Sequence, residues 1–141
     1  MSAFKMACVF CEVISKAVDS LIVYEDEHSL AFLDHRPLFP GHCLLIPKMH
    51  CETLAELPPA LVEPLFTAAQ RLTRAVENAM RAEGSFVAMN NRVSQSVPHL
   101  HVHVVPRTKK DGLRGFFWPR RRYESPEAAK AAQRAIADAL L

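Results

Sequence analysis

The sequence is short of the features that would place it in a membrane or on nucleic acid. No stretch of its 141 residues approaches the roughly 20 apolar residues that a spanning helix needs. Charge is nearly balanced, with 17 Lys and Arg against 15 Asp and Glu, so composition points to no nucleic-acid or membrane partner. There is no internal repeat, no low-complexity tract and no linker-like shift in composition. Met1 to Phe10 holds one lysine and no long apolar run ahead of a small-residue cleavage site. The expectation is one cytoplasmic domain over residues 1–141, its four cysteines reduced or bound to metal. Half of the residues are apolar, enough for a core without disulfides.

What the chain has instead is histidine, seven in all, and prolines that punctuate its periodic segments. Leu21–Tyr24, Ser29–Leu33 and His42–Ile46 read as short strands, the third preceded by the Pro40-Gly41 turn. From Pro59 to about Ala82, apolar residues recur at helical spacing (Leu61, Leu65, Ala68, Leu72, Val76, Met80), and Gly84 is the expected stop. Phe86–Met89 and His99–Val105 are two further strands, and Ser125-Pro126-Glu127 opens a C-terminal helix with a good N-cap. The segments between strands are mostly too short for parallel crossovers. The order therefore predicts an α+β domain: an antiparallel sheet of about five strands, one long helix and a C-terminal helix, with the helices on one side.

The densest chemistry lies in His99-Leu-His101-Val-His103. Strand side chains alternate with period two, so the three imidazoles share one face while Leu100, Val102 and Val104 share the other. Packing explains the apolar face and leaves the histidines for chemistry. Imidazole is neutral near pH 7 and serves as a nucleophile or a metal ligand. Two readings stay open on spacing alone: a catalytic zinc held by alternating histidines, or direct attack by one imidazole with its neighbours in support.

The pattern His-φ-His-φ-His-φ-φ from His99 to Val105 resembles the motif that names the histidine triad (HIT) family. So do Ala7-Cys-Val-Phe-Cys11, the run from Val23 to Asp34, Pro40-Gly-His42, Ile46-Pro-Lys-Met-His50 and Gln95-Ser-Val-Pro-His99, which together span about Cys8 to Arg107. The resemblance implies a HIT-like fold with a core at about residues 8–107. It also implies a purine nucleotide or nucleotide conjugate bound over the sheet, with His101 attacking the α-phosphorus to form a nucleotidyl-histidine that water hydrolyses. His103, His42 and Ser96 would support that chemistry. Asp34 would bind the ribose, Asn90, Gln95 and Ser96 the sugar or phosphate, and Val9 and Phe10 the base.

Cys8-Val-Phe-Cys11 alone fits a zinc half-site, a redox pair or two buried thiols. With His50 and His99 it resembles the zinc-bearing bacterial branch of the family, which implies a structural Cys2His2 zinc site and a homodimer. The loop Asn91-Arg-Val-Ser94 departs from the family pattern in being short and free of glycine, and the basic, aromatic Arg114–Arg122 segment matches nothing. The leading expectation is a hydrolase or transferase acting on a nucleoside phosphoramidate, an adenylate conjugate or a dinucleoside polyphosphate. The alternatives are a zinc hydrolase using the three histidines, or a zinc-stabilised nucleotide-binding module with little turnover.

Overall fold

Strand-forming runs occupy the first third of the chain and return after the long helix. In the computed structural model, which describes residues 8–114 and 120–140, they become β1 (Ile22–Glu25), β2 (Ser29–Leu33), β3 (Cys43–Pro47), β4 (Gly84–Ala88) and β5 (Val102–Arg107). All pair antiparallel in the order β1-β2-β3-β5-β4, so β5 lies inside the sheet and β4 at an edge. The Asp26 carboxylate closes the β1–β2 turn by accepting from the N–H groups of His28 and Ser29 at 2.8 and 2.7 Å. Two compact units result, Met1–Asp111 with the sheet and Gly112–Leu141 with the C-terminal helix.

The sheet is covered on both faces, not on one as the element order suggested. On one face Ala31, Cys43, Leu45, Val102 and Val104 pack against α2 (Val62–Ala79) through Leu65, Ala68, Ala69, Leu72 and Val76. At about 1.5–3 kcal/mol for each fully buried Leu or Val side chain, this stripe holds α2 more firmly than its own propensity does. On the other face Leu30, Phe32, Leu44 and Ile46 pack against Cys8, Phe10 and Val13 of an N-terminal segment. That segment is a six-residue helix, α1 (Val9–Ile14), which sequence periodicity missed because it is too short to show one. Its N-cap is Cys8, whose Sγ accepts from the Cys11 N–H at 3.4 Å.

Several element boundaries differ from expectation, those of α2 and β5 the most. A 3-10 turn (Pro59–Leu61) precedes α2, and Gly84 is not its stop. Arg81 takes a left-handed φ of +53°, while Ala82 donates to the Glu77 carbonyl at 2.9 Å and Arg81 to the Asn78 carbonyl at 3.3 Å. These bonds end the helix in a Schellman motif without glycine. The expected histidine strand is also shorter, since β5 begins only at Val102. Ahead of it the ladder is given up: Leu100 donates to the Cys51 carbonyl and His99 to the Val97 carbonyl, both at 2.8 Å. The alternation nevertheless persists, with Leu100, Val102 and Val104 fully buried in the cluster beneath α2.

Gly41 is required where it stands. Its φ is +97°, and a Cβ there would meet Met80 Cγ at 2.6 Å. In the second unit, α3 (Pro126–Ala139) starts as predicted, with Ser125 Oγ accepting from the Ala128 N–H at 3.0 Å. Among the described residues no helix is long and apolar enough to cross a membrane.

Candidate active site and metal centre

The face that β5 shares with α1 gathers the histidines into two groups of donors. The first contains Cys8 and Cys11 from α1 and its cap, His50 from the segment after β3, and His99. His99 Nδ1 lies 3.4 Å from Cys8 Sγ, 3.7 Å from Cys11 Sγ and 3.1 Å from His50 Nδ1, and Cys11 Sγ lies 3.3 Å from His50 Nδ1. A tetrahedral zinc with bonds of about 2.0–2.3 Å sets its ligand atoms about 3.3–3.8 Å apart. Three of the four distances fall in that range, the two imidazole nitrogens lie slightly closer, and the donor types suit that ion.

The proton on His99 points the same way. Its Nε2 donates to the Pro47 carbonyl at 2.9 Å, which leaves Nδ1 with a bare lone pair facing the thiols. Burial, chiefly, lowers the pKa of this fully buried ring to about 4, so it is neutral and ready to ligate. Cys43 and Cys51 lie outside the group, and burial pushes both thiols up.

His101 belongs to neither group of donors. It is buried, and its Nδ1–H donates to the backbone carbonyl of His99 at 2.7 Å. In the neutral ring Nε2 is then the nitrogen with the lone pair, and among the described residues nothing hydrogen-bonds to it. The Phe10 ring meets it edge-on at 5.1 Å, and the His103 ring lies at 5.0 Å.

The second group is Asp34 at the end of β2, His42 at the start of β3 and His103 on β5. His42 Nε2 is 3.0 Å from His103 Nδ1 and 3.6 Å from the Asp34 carboxylate. On its other side, His42 Nδ1 accepts from the Leu38 backbone N–H at 3.0 Å. Burial lowers the pKa of both rings, that of His103 to about 4 with help from His101 and His42, while Asp34 opposes the shift in each. Both are neutral near pH 7. Among the described residues, no group of donors contains all three histidines of the motif.

The remaining predicted residues spread around this core. Phe10 is buried and contacts Phe32, His99 and His101, whereas Val9 is largely exposed. The loop without glycine turns through left-handed Arg92 (φ +72°) and Ser94 (φ +63°). Gln95 closes it: its Oε1 accepts from the Arg92 N–H at 2.6 Å and its Nε2 donates to the Glu52 carbonyl at 2.7 Å. Asn90 Nδ2 donates to the Ser94 carbonyl at 3.2 Å, and Asn91 Oδ1 accepts from the Leu54 N–H at 2.9 Å. The amides of Asn90 and Gln95 thus bond to backbone, and Ser96 is left exposed with no hydrogen-bond partner among the described residues. The aromatic part of the Arg114–Arg122 segment, Phe116, Phe117 and Trp118, lies outside the described residues.

The partners that sequence reasoning missed are backbone atoms: the Pro47 and His99 carbonyls and the Leu38 N–H. A cavity of about 330 Å³ opens on the α2 side, lined by Val23, Tyr24, Leu33, Arg71, Val76 and Met80 among others, and contains none of the histidines.

The family model described as the HIT domain matches residues 15–110. Among curated proteins, the chain is 39% identical over 113 residues to "Protein hit" of Bacillus subtilis, covering 79% of this chain and 78% of that one. It is 35% identical over 114 residues to the adenylylsulfatase HINT3 of Arabidopsis thaliana, covering 79% and 58%. It is also 35% identical over 96 residues to the asymmetrical bis(5'-nucleosyl)-tetraphosphatase of Schizosaccharomyces pombe, covering 67% and 53%. Among solved structures, a HIT family member from Bacillus subtilis superposes with a TM-score of 0.85 at 37% identity, covering 93% of this chain and 95% of that one. A zinc-bound histidine triad family protein from Mycobacterium smegmatis superposes with a TM-score of 0.73 at 36% identity, covering 95% and 96%.

Proposed function

We infer the function from a fixed premise: the chain belongs to the HIT domain family. It is a nucleotide hydrolase or transferase that cleaves at the α-phosphate of a nucleoside phosphoramidate, an adenylate conjugate or a dinucleoside polyphosphate. Two enzyme relatives, an adenylylsulfatase and a dinucleoside tetraphosphatase, support the adenylate-conjugate and dinucleoside-polyphosphate parts of that range.

One observation carries the reading, the bond from His101 Nδ1–H to the His99 carbonyl. It leaves the Nε2 lone pair for attack on the α-phosphorus. The P–Nε2 bond forms as the bond to the leaving group breaks. The ring then carries a positive charge, and the His99 carbonyl stabilises its Nδ1–H. The leaving group departs with the bonding pair, an amine taking its proton from solvent. In the second step water attacks phosphorus, and the P–Nε2 bond breaks with its electron pair returning to Nε2. The water's proton passes to solvent, and the nucleotide leaves neutral His101 behind. Asp34 binds the ribose hydroxyls, Phe10 and Val9 the purine, and Ser96, with Asn90 and Gln95 in the same loop, the sugar and phosphate side.

Cys8, Cys11, His50 and His99 hold a structural zinc, a reading supported by their donor set and by the zinc-bound relative. When bound, the ion cross-links α1 to the histidine segment, and four protein ligands leave it no open position for water. The alternative of one zinc on all three motif histidines loses support because His99 and His103 fall in separate groups of donors and His101 in neither. The functional form is a homodimer. β4 is an edge strand, and Val62, Phe66 and Val87 are exposed apolar residues that pairing would cover. Light scattering that returned a monomer mass at micromolar concentration would reject it.

The main test is His101→Ala. Activity on a nucleotide conjugate should fall by at least about 10³-fold with little change in melting temperature. Rapid quenching of the wild-type protein should place a nucleotidyl group on the peptide containing His101. Substantial activity in His101→Ala would sink the covalent reading.

A further inference from the structure

His42 meets two partners that between them dictate where protons sit. A backbone N–H can only donate, so the 3.0 Å contact from Leu38 requires a bare Nδ1 on His42. A neutral imidazole with a bare Nδ1 carries its hydrogen on Nε2. That hydrogen has one acceptor in hydrogen-bond range, His103 Nδ1 at 3.0 Å, because the Asp34 carboxylate at 3.6 Å is too far. If His103 accepts at Nδ1, its own hydrogen must lie on Nε2.

We propose that the backbone N–H of Leu38, acting through His42, fixes His103 as the Nε2–H tautomer, so that His103 serves as a neutral hydrogen-bond donor and not as a general base. The proposal rests on the nucleotidyl-histidine reading only for the use made of that donor. His101 and His103, two residues apart, then hold opposite tautomers: Nδ1–H with a bare Nε2 on His101, and a bare Nδ1 with Nε2–H on His103. One ring presents a lone pair and the other a donor, and each choice is made by a main-chain group. Neutral imidazole gives up a proton with difficulty. His103 therefore acts by donating to negative charge on the phosphoryl oxygens or the departing atom, and it moves no proton of its own. Among the described residues nothing else hydrogen-bonds to its Nε2. The same wire makes Asp34, His42 and His103 a poor metal site, because the His42 nitrogen facing the other two already bears a hydrogen.

The test is the imidazole nitrogen spectrum of nitrogen-15-labelled protein, as purified and without substrate, near neutral pH. Protonated and bare ring nitrogens resolve well in such spectra. We expect His42 and His103 to be protonated on Nε2 and His101 on Nδ1. In His42→Leu, His103 should relax to a mixture of tautomers. In His42→Gln the amide can accept from Leu38 and donate to His103, and the hydrogen should return to Nε2. His42→Leu should also lower kcat by about 10–100-fold with KM within about threefold, and Gln should recover much of that loss. A proton on Nδ1 of either His42 or His103 in the wild-type protein overturns the proposal, as does an unchanged His103 in His42→Leu. If His42→Leu does not fold, the wild-type spectrum alone decides. The predicted tautomers in a protein that turns over no nucleotide conjugate would uphold the wire and sink the catalytic reading.

Discussion

Two groups of donors on one face of the sheet, each holding a histidine from the same five-residue motif, are prepared for opposite tasks. Around His99 the donor atoms are two thiols and two imidazole nitrogens at 3.1–3.7 Å, and the Pro47 carbonyl takes the far hydrogen of the buried ring. A lone pair is thereby turned toward its neighbours, as a metal needs. Around His42 the Leu38 N–H fills the far nitrogen instead, so a hydrogen is turned toward the neighbours. Side-chain inventory does not separate the two groups, since both are close-set donors of ligand type. The main-chain atom behind the ring separates them: the carbonyl behind His99 turns a lone pair toward its neighbours, and the amide behind His42 turns a hydrogen toward its own.

The strongest way to break this comparison is to remove one donor from each group and assay metal. Cys8→Ala should abolish near-stoichiometric zinc in the purified protein. It should cost about 3–5 kcal/mol, roughly 10 °C in Tm, because α1 loses its tie to the histidine segment. Asp34→Ala should leave zinc content unchanged. A zinc stoichiometry that fell in Asp34→Ala and held in Cys8→Ala would reverse the assignment of the two groups.

These differences bear on what a sequence can reveal. Spacing alone made legible the shared face of the motif histidines, and the resemblance singled out the rest. The structure sets Cys8, Cys11, His50 and His99 close together, Asp34, His42 and His103 in a second group, and the His101 ring beside that of His103. Strands β2 and β3, the α2 stripe and the Ser125 cap were legible because apolar period and capping chemistry are local properties. The tautomers were not, since they depend on carbonyls and amides that every residue carries and only the fold aims. The stop of α2 was missed for a related reason. Arg81 takes the left-handed position usually given to glycine, and nothing in its side chain announces this. Gln95 reads as a phosphate contact in sequence, yet both ends of its amide bond to main chain in a loop that has no glycine to make its turns.

The two groups should also separate by pH, with a smaller effect. Burial lowers the folded pKa of His103 to about 4 from an ordinary value of 6.5. Between those values the unfolded chain takes up a proton that the folded ring refuses. The stability at stake is fully present above pH 6.5 and is lost as pH falls toward 4. It amounts to about 3 kcal/mol at most, and less because the ring is partly exposed. His103→Asn should therefore flatten denaturant-derived stability between pH 4 and 6.5 in zinc-loaded protein. An unchanged slope would mean that His103 titrates normally.

The smallest effect is expected at Phe10, which touches both a proposed zinc ligand and the proposed nucleophile. Phe10 meets the His99 ring at 5.9 Å and the His101 ring at 5.1 Å, both edge-on, and packs against Phe32 at 5.5 Å. It rides on α1, whose cap, Cys8, is itself a proposed zinc ligand. Phe10→Leu keeps an apolar side chain of smaller volume and should cost about 1 kcal/mol in stability, since the loss is ring-edge contact more than buried area. The thiolates and imidazoles are untouched, so zinc content should stay the same. The two donor groups differ in which partner sits behind each ring, and Phe10 sits behind neither. Its replacement should therefore leave the tautomers of His101 and His103 unchanged while raising KM for a purine nucleotide conjugate several-fold. If turnover instead slowed by about a hundredfold or more with the tautomers intact, the Phe10 ring, and not only the His99 carbonyl, would be what holds His101 in its attacking orientation.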